Sequence, residues 1–101
     1  MLPPDVMRRL ETDYGANTAE VIVAMLLQKI PVDLSNGSFD RLIRCIVHFA
    51  GGNKERLEIA IDLCLADPRD IILNAEYEPD ESGSPIRTRD FDLSMDDPRN
   101  S

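Results

Sequence analysis

Arg41, Arg44 and His48 stand at i, i+3 and i+7, a spacing that sets all three on one face of a helix. Two guanidiniums and an imidazole so placed could contact an anion or a nucleic acid. Downstream, Glu55, Glu58 and Asp62 repeat the spacing with opposite charge. Folding the chain back at Gly51-Gly52 brings Arg41 level with Asp62, Arg44 with Glu58 and His48 with Glu55. The expectation is an interhelical ladder of ion pairs. Without that ladder, the basic stripe becomes a candidate partner-binding surface. Exposed pairs of this kind contribute at most about 1 kcal/mol each.

Other constellations are thinner. His48 is the single histidine, which excludes two-histidine zinc sites and leaves one imidazole for acid–base work. Asp67 and Asp70 resemble a carboxylate pair, but capping and the helix dipole account for both. Gly51-Gly52-Asn53 precedes a helix without the Lys-Ser/Thr pair or the strand of a phosphate loop, so it reads as a helix connection. Cys45 and Cys64 have no metal or redox spacing. In the antiparallel register they fall too far apart for a disulfide, so two buried free thiols are expected. No catalytic, metal or cofactor-binding residue is assigned, and the chain reads as a non-enzyme.

The elements that carry these residues are helical. Pro3-Pro4-Asp5 opens a helix with Val6, Met7 and Leu10 on its apolar stripe, Arg8 and Arg9 outside, and Gly15 closing it. Asn17-Thr18-Ala19-Glu20 reads as a capping box. The helix that follows is apolar on almost every side to Ile30, which predicts either a buried central pillar or a homodimer seam. Pro31 ends it, and Val32 and Leu34 are expected to plug the loop beyond. Ser38 caps a third helix closed by Gly51, Asn53 caps a fourth, and Asp67-Pro68 starts a fifth. The fold class predicted is all-α: five helices near 4–14, 18–30, 38–50, 54–66 and 68–77, built around a central antiparallel hairpin.

Composition bounds the function. A chain of 101 residues with 43% apolar content supports one small core. Its net charge of −8 opposes non-specific contact with nucleic acid or anionic membrane. Met1-Leu2-Pro3-Pro4-Asp5 has neither the basic region nor the apolar core of a signal peptide, and no run is long enough to span a membrane. With reduced cysteines, this predicts a cytoplasmic protein. Residues 1–77 are expected as the helical domain and 78–101 as an acidic, largely disordered tail. Within that tail Phe91, Leu93 and Met95 alternate like a strand and could dock on a partner.

The segment Arg41 to Tyr77 is similar to a set of small helical bacterial proteins of unknown function. Arg44-Cys45-Ile46, Ala50-Gly51-Gly52-Asn53, Leu57-Glu58 and Asp67-Pro68-Arg69-Asp70-Ile71-Ile72 through Ala75-Glu76-Tyr77 carry the resemblance. It implies a bacterial source and an ordered end near Tyr77, and it brings no activity or site residues. Nothing in helix physics requires the Glu76-Tyr77 ending, although the Tyr77 ring could anchor the last helix.

The function expected is a small protein-interaction module, such as an adaptor, an inhibitor or an antitoxin-like partner. Its partner is another protein, met through Arg41, Arg44 and His48 or through Phe91, Leu93 and Met95, with a homodimer through residues 18–30 also possible. The alternative is a nucleic-acid-associated regulator using Arg8, Arg9, Arg41, Arg44 and Lys54. The acids of Lys54-Glu55-Arg56-Leu57-Glu58 are poorly suited to a recognition helix. A remote third reading is an enzyme built on His48.

Overall fold

In the computed structural model, which describes residues 2–31 and 39–100, the centre of the molecule is α3, Phe39–Ala50. Leu42, Ile43, Cys45, Ile46, Val47 and Ala50 are all buried, so α3 carries a core surface wide enough to serve three neighbours. Those neighbours are α1 (Pro4–Tyr14), α4 (Lys54–Ala66) and α5 (Pro68–Glu76). The bundle is all-α, as expected, with five helices among the described residues. None of these is long and apolar enough to cross a membrane.

The local signals explain most boundaries. Gly51 and Gly52 take φ of 56° and 84°, which turns the chain from α3 into α4 without a Cβ clash. The Asn53 side chain then accepts from the Arg56 N–H, and Asp67 does the same for Arg69 at the start of α5, with Pro68 in the first turn. The expected Ser38 cap and the Val32 and Leu34 plugs lie outside the described residues.

Helix α2 (Ala16–Lys29) corrects two expectations. Gly15, at φ 84°, ends α1 and begins α2 directly, with Ala19 N–H donating to the Gly15 carbonyl. Asn17 therefore lies inside the helix, and the capping box does not form. Nor is α2 the central pillar. It packs on α1 through Ala19, Ile22 and Leu26, while Val21 and Leu27 stay 67% and 42% exposed. Its surplus of apolar residues exceeds what its neighbours cover.

The chain beyond α5 differs most from the expectation of a flexible tail. Tyr77–Pro79 (β1) pairs antiparallel with Pro85–Arg87 (β2), and Asp80 Oδ1 organises the turn between them by accepting from Ser82 and Ser84. Residues 88–100 then return across the bundle and end in a single 3-10 turn, Pro98–Asn100. Phe91 is 1% exposed, and it and Met95 belong to the same core cluster as Leu10, Ile43 and Ile71. The segment Phe91 to Met95, whose alternation resembles a strand, forms a pair of turns. Asp90 and Ser94 accept backbone N–H groups of Asp92 and Asp96, so residues four apart point inward together.

A buried phenyl ring predicts a cost that an unstructured tail would not show. Phe91→Ala should destabilise the fold by about 3 kcal/mol, read as a shift in the urea unfolding midpoint. An unchanged midpoint would mean that residues 88–100 do not dock.

Candidate functional site

The face where the returning segment lands is the one that carries Arg41, Arg44 and His48. Its construction starts with two carboxylates that the core encloses. Glu76, the last residue of α5, is 0% exposed. Arg41 reaches it from α3 as a fork, Nε to Oε2 and Nη2 to Oε1, both at 2.8 Å. Arg87 Nε donates to Oε1 at 3.0 Å, and the Phe91 N–H donates to Oε2 at 3.1 Å. Cys45 Sγ approaches Oε2 at 3.8 Å. A buried carboxylate must find donors for both oxygens, and here three different parts of the chain supply them.

Asp5, in the first turn of α1, repeats the arrangement. Arg44 Nε donates to Oδ2 at 2.9 Å and Nη2 to Oδ1 at 3.3 Å, while Met95 N–H donates to Oδ2 at 2.9 Å. The remaining arm of Arg44, Nη1, donates to the Phe91 carbonyl at 3.1 Å. Two carboxylates thus hold the amides of Phe91 and Met95, and two arginines of α3 hold the carboxylates. Between them the His48 ring lies 5.2 Å from the Phe91 ring, tilted by 46°.

The ladder expected from the sequence is overturned. Arg41 pairs with Glu76 and stands 3.8 Å from Asp92, and Arg44 pairs with Asp5, whereas Glu55, Glu58 and Asp62 are exposed on α4. The two-helix register omitted α1, α5 and the returning segment, whose acids reach the basic stripe from a better-buried side. The structure brings Arg41, Arg44, His48, Phe91 and Met95 together on one face, with Leu93 half-buried in the same turn. The two alternative partner surfaces therefore lie against each other. Sequence reasoning missed the roles of Asp5, read only as part of a helix start, and of Glu76. The one visible signal was a Glu-Tyr ending without local explanation.

Electrostatics fix the states of these groups. Burial alone would raise the Glu76 carboxyl, but the Arg41 fork, the Phe91 N–H and the Arg41 and Arg87 charges outweigh it and hold it below its ordinary range. Asp5 is lowered likewise, against burial, by Arg44 and the Met95 N–H. Burial, helped by the charges of Arg89 and Arg9, lowers His48 to about 4, so the ring is neutral near pH 7. Burial pushes Cys64 up to about 11, and burial with the Glu76 charge raises Cys45 further. Both thiols are free, buried and un-ionised at neutral pH. Among the described residues no group of three or more His, Cys, Asp or Glu could hold a metal ion.

The arrangement is an anchor for the returning segment. Its carboxylates are weak bases because arginines hold them charged, and its imidazole is turned against a phenyl ring. The chain matches no family model, no curated protein and no solved structure.

Two outcomes test the anchor. Glu76→Gln removes the buried charge that Arg41 and Arg87 share and should cost about 3 kcal/mol, whereas Glu58→Lys should stay within about 0.5 kcal/mol. Equal losses, or none at Glu76, would restore the ladder or dismiss the anchor.

The pH dependence follows from pKa values lower in the folded state. Stability from such groups is full above the unfolded value and is lost as pH falls through the folded one. His48 therefore begins to weaken the fold below about pH 6.5, its unfolded value, and is spent near pH 4. Glu76 and Asp5 withdraw their support only below their own unfolded values of about 4. Urea midpoints measured across this range should fall in two stages, and His48→Gln should flatten the first stage alone.

Proposed function

We propose that this chain is a small non-catalytic protein-interaction module whose contact surface is the outer face of α2. The observation that carries this reading is the exposure of Val21, Ala24 and Leu27 along one side of a helix whose other side is core. Aliphatic side chains left in water on one stripe favour association, whether with another protein or a second copy of this chain. The surfaces first expected for this role are taken up internally, since Phe91 and Met95 cover the Arg41, Arg44 and His48 face. His48 and both cysteines serve packing, which supports the non-catalytic part of the reading. Buried free thiols favour a reducing cytoplasm.

The nucleic-acid alternative draws less support. Arg8 pairs with Asp96, Arg9 with Asp13, Arg41 with Glu76 and Arg44 with Asp5, so four of its five cations already face carboxylates.

Capture from a lysate of the source organism tests the reading, with wild type compared against a Val21→Glu/Leu27→Glu double variant. The expected result is one protein retained through moderate salt and nuclease, its affinity falling at least about tenfold in the variant. Sedimentation of the pure chain reads the second-copy case, in which the same variant should turn a dimer into a monomer. Equal behaviour of both chains would remove the α2 face, and retention lost on nuclease treatment would transfer the weight to the regulator.

A further inference from the structure

We infer that a second copy of this chain covers the outer face of α2, in an antiparallel helix pair whose two-fold axis passes beside Ala24. The pairing rests on the reading of that face as the contact surface and supplies its occupant. Glu20, Val21, Ala24, Leu27 and Gln28 are all exposed. Val21 and Leu27 leave 67% and 42% of their surface in water, although Ile22 and Leu26 on the opposite side are core. At 3.6 residues per turn Ala24 stands at the centre of the face, with Val21 and Leu27 about 60° to either side.

The stripe reads alike in both directions. Three residues from Ala24 on each side stands an aliphatic side chain, Val21 or Leu27. Four residues away on each side stands a polar one of equal length, Glu20 or Gln28. A two-fold interface needs this self-complementarity, since every contact from i to j is repeated from j to i. In an antiparallel pair centred on Ala24, Val21 comes level with the second copy's Leu27. The Glu20 carboxylate comes level with the second copy's Gln28, whose amide can donate to it. The two Ala24 methyl groups meet on the axis, where small side chains let the helices approach closely.

Charge favours the second copy over a foreign protein. Specific partners are chosen by complementary charges around an interface, and this stripe offers only Glu20. Lys29, the one base of α2, stands about 140° from Ala24 and lines a hollow with Glu58, Ile61 and Asp62 of α4. Beyond the seam, two chains of net charge −8 repel each other, so the apolar stripe must hold against that repulsion. The 14 residues of α2 give a seam about 21 Å long and about 10 Å wide, smaller than the roughly 800 Å² per partner of a standard interface. The dimer is therefore weak, with a dissociation constant on the order of 100 μM. Salt strengthens it by screening the like charges, whereas salt would weaken attraction to a basic protein.

Sedimentation of the full chain from about 10 μM to about 1 mM, at low and at high salt, tests the pairing. A monomer–dimer equilibrium that tightens about threefold as salt rises is expected. Cross-linking with oxidised glutathione reads the register, and wild type is the blank because Cys45 and Cys64 are buried. Ala24→Cys sets two thiols on the axis, within the roughly 7 Å between Cα atoms that a disulfide spans. Val21→Cys sets its two thiols six residues, about 9 Å, apart along the helices. Ala24→Cys should therefore cross-link at least about tenfold faster. A wild-type chain that stays monomeric, a dimer that weakens with salt, or equal cross-linking of the two variants would each overturn the pairing. Where the chain stays monomeric, a protein captured from lysate through Val21 and Leu27 keeps the α2 face as a contact surface, and no capture removes that reading as well.

Discussion

Glu76 ends a helix inside the core, where a carboxylate stripped of water stays charged only if donors surround it. Meeting that demand draws on much of the molecule. The Arg41 fork comes from α3, Arg87 from β2, and the Phe91 amide from the segment beyond. Because one pair of oxygens needs all of these, α3, α5 and the last quarter of the chain are fixed relative to one another. An apolar residue at position 76 could fill the space, but it would say nothing about where residues 87 and 91 belong. The ionic group supplies register, which hydrophobic burial alone specifies poorly.

Asp5 does the same at the other side of the face, so the docked segment is held at two points four residues apart. Between the two, Phe91 and Met95 add apolar burial, about 2 kcal/mol for a ring that leaves water completely. Neither contribution would order the segment alone. A solvated amide gains little by moving to a carboxylate, and one ring does not offset the entropy of fixing a dozen residues. Together they act on the same residues, and the cooperation turns an acidic, serine- and proline-containing stretch into a covered edge of the bundle.

What the sequence made legible, and what it hid, divides along this line. The helices from α3 to α5 could be read because their signals are local: an apolar period, Asn53 and Asp67 as caps, and glycine where φ is positive. The partners of Arg41 and Arg44 could not. Helical spacing states which side chains share a face and is silent on what the face meets, and Glu58 and Glu76 look alike in a string of letters. The same blindness applied to α2. Its apolar residues implied burial on all sides, but burial needs neighbours, and α1 covers only one flank. The ordering of residues 78–100 was hidden for a related reason, since its cause is two acids that lie outside the segment itself.

The double duty of Arg87 links the core to the surface. One side of its guanidinium completes the buried shell of Glu76, while Asp90 and the Arg89 carbonyl hold the rest at the surface. Glu76 therefore sets the position of a surface cation from within, and Asn100 sets Arg99 from the opposite end. By contrast, α2 offers an apolar stripe with no charge anchored beneath it. The charged face is thus satisfied within the chain, whereas the apolar stripe of α2 is left to solvent.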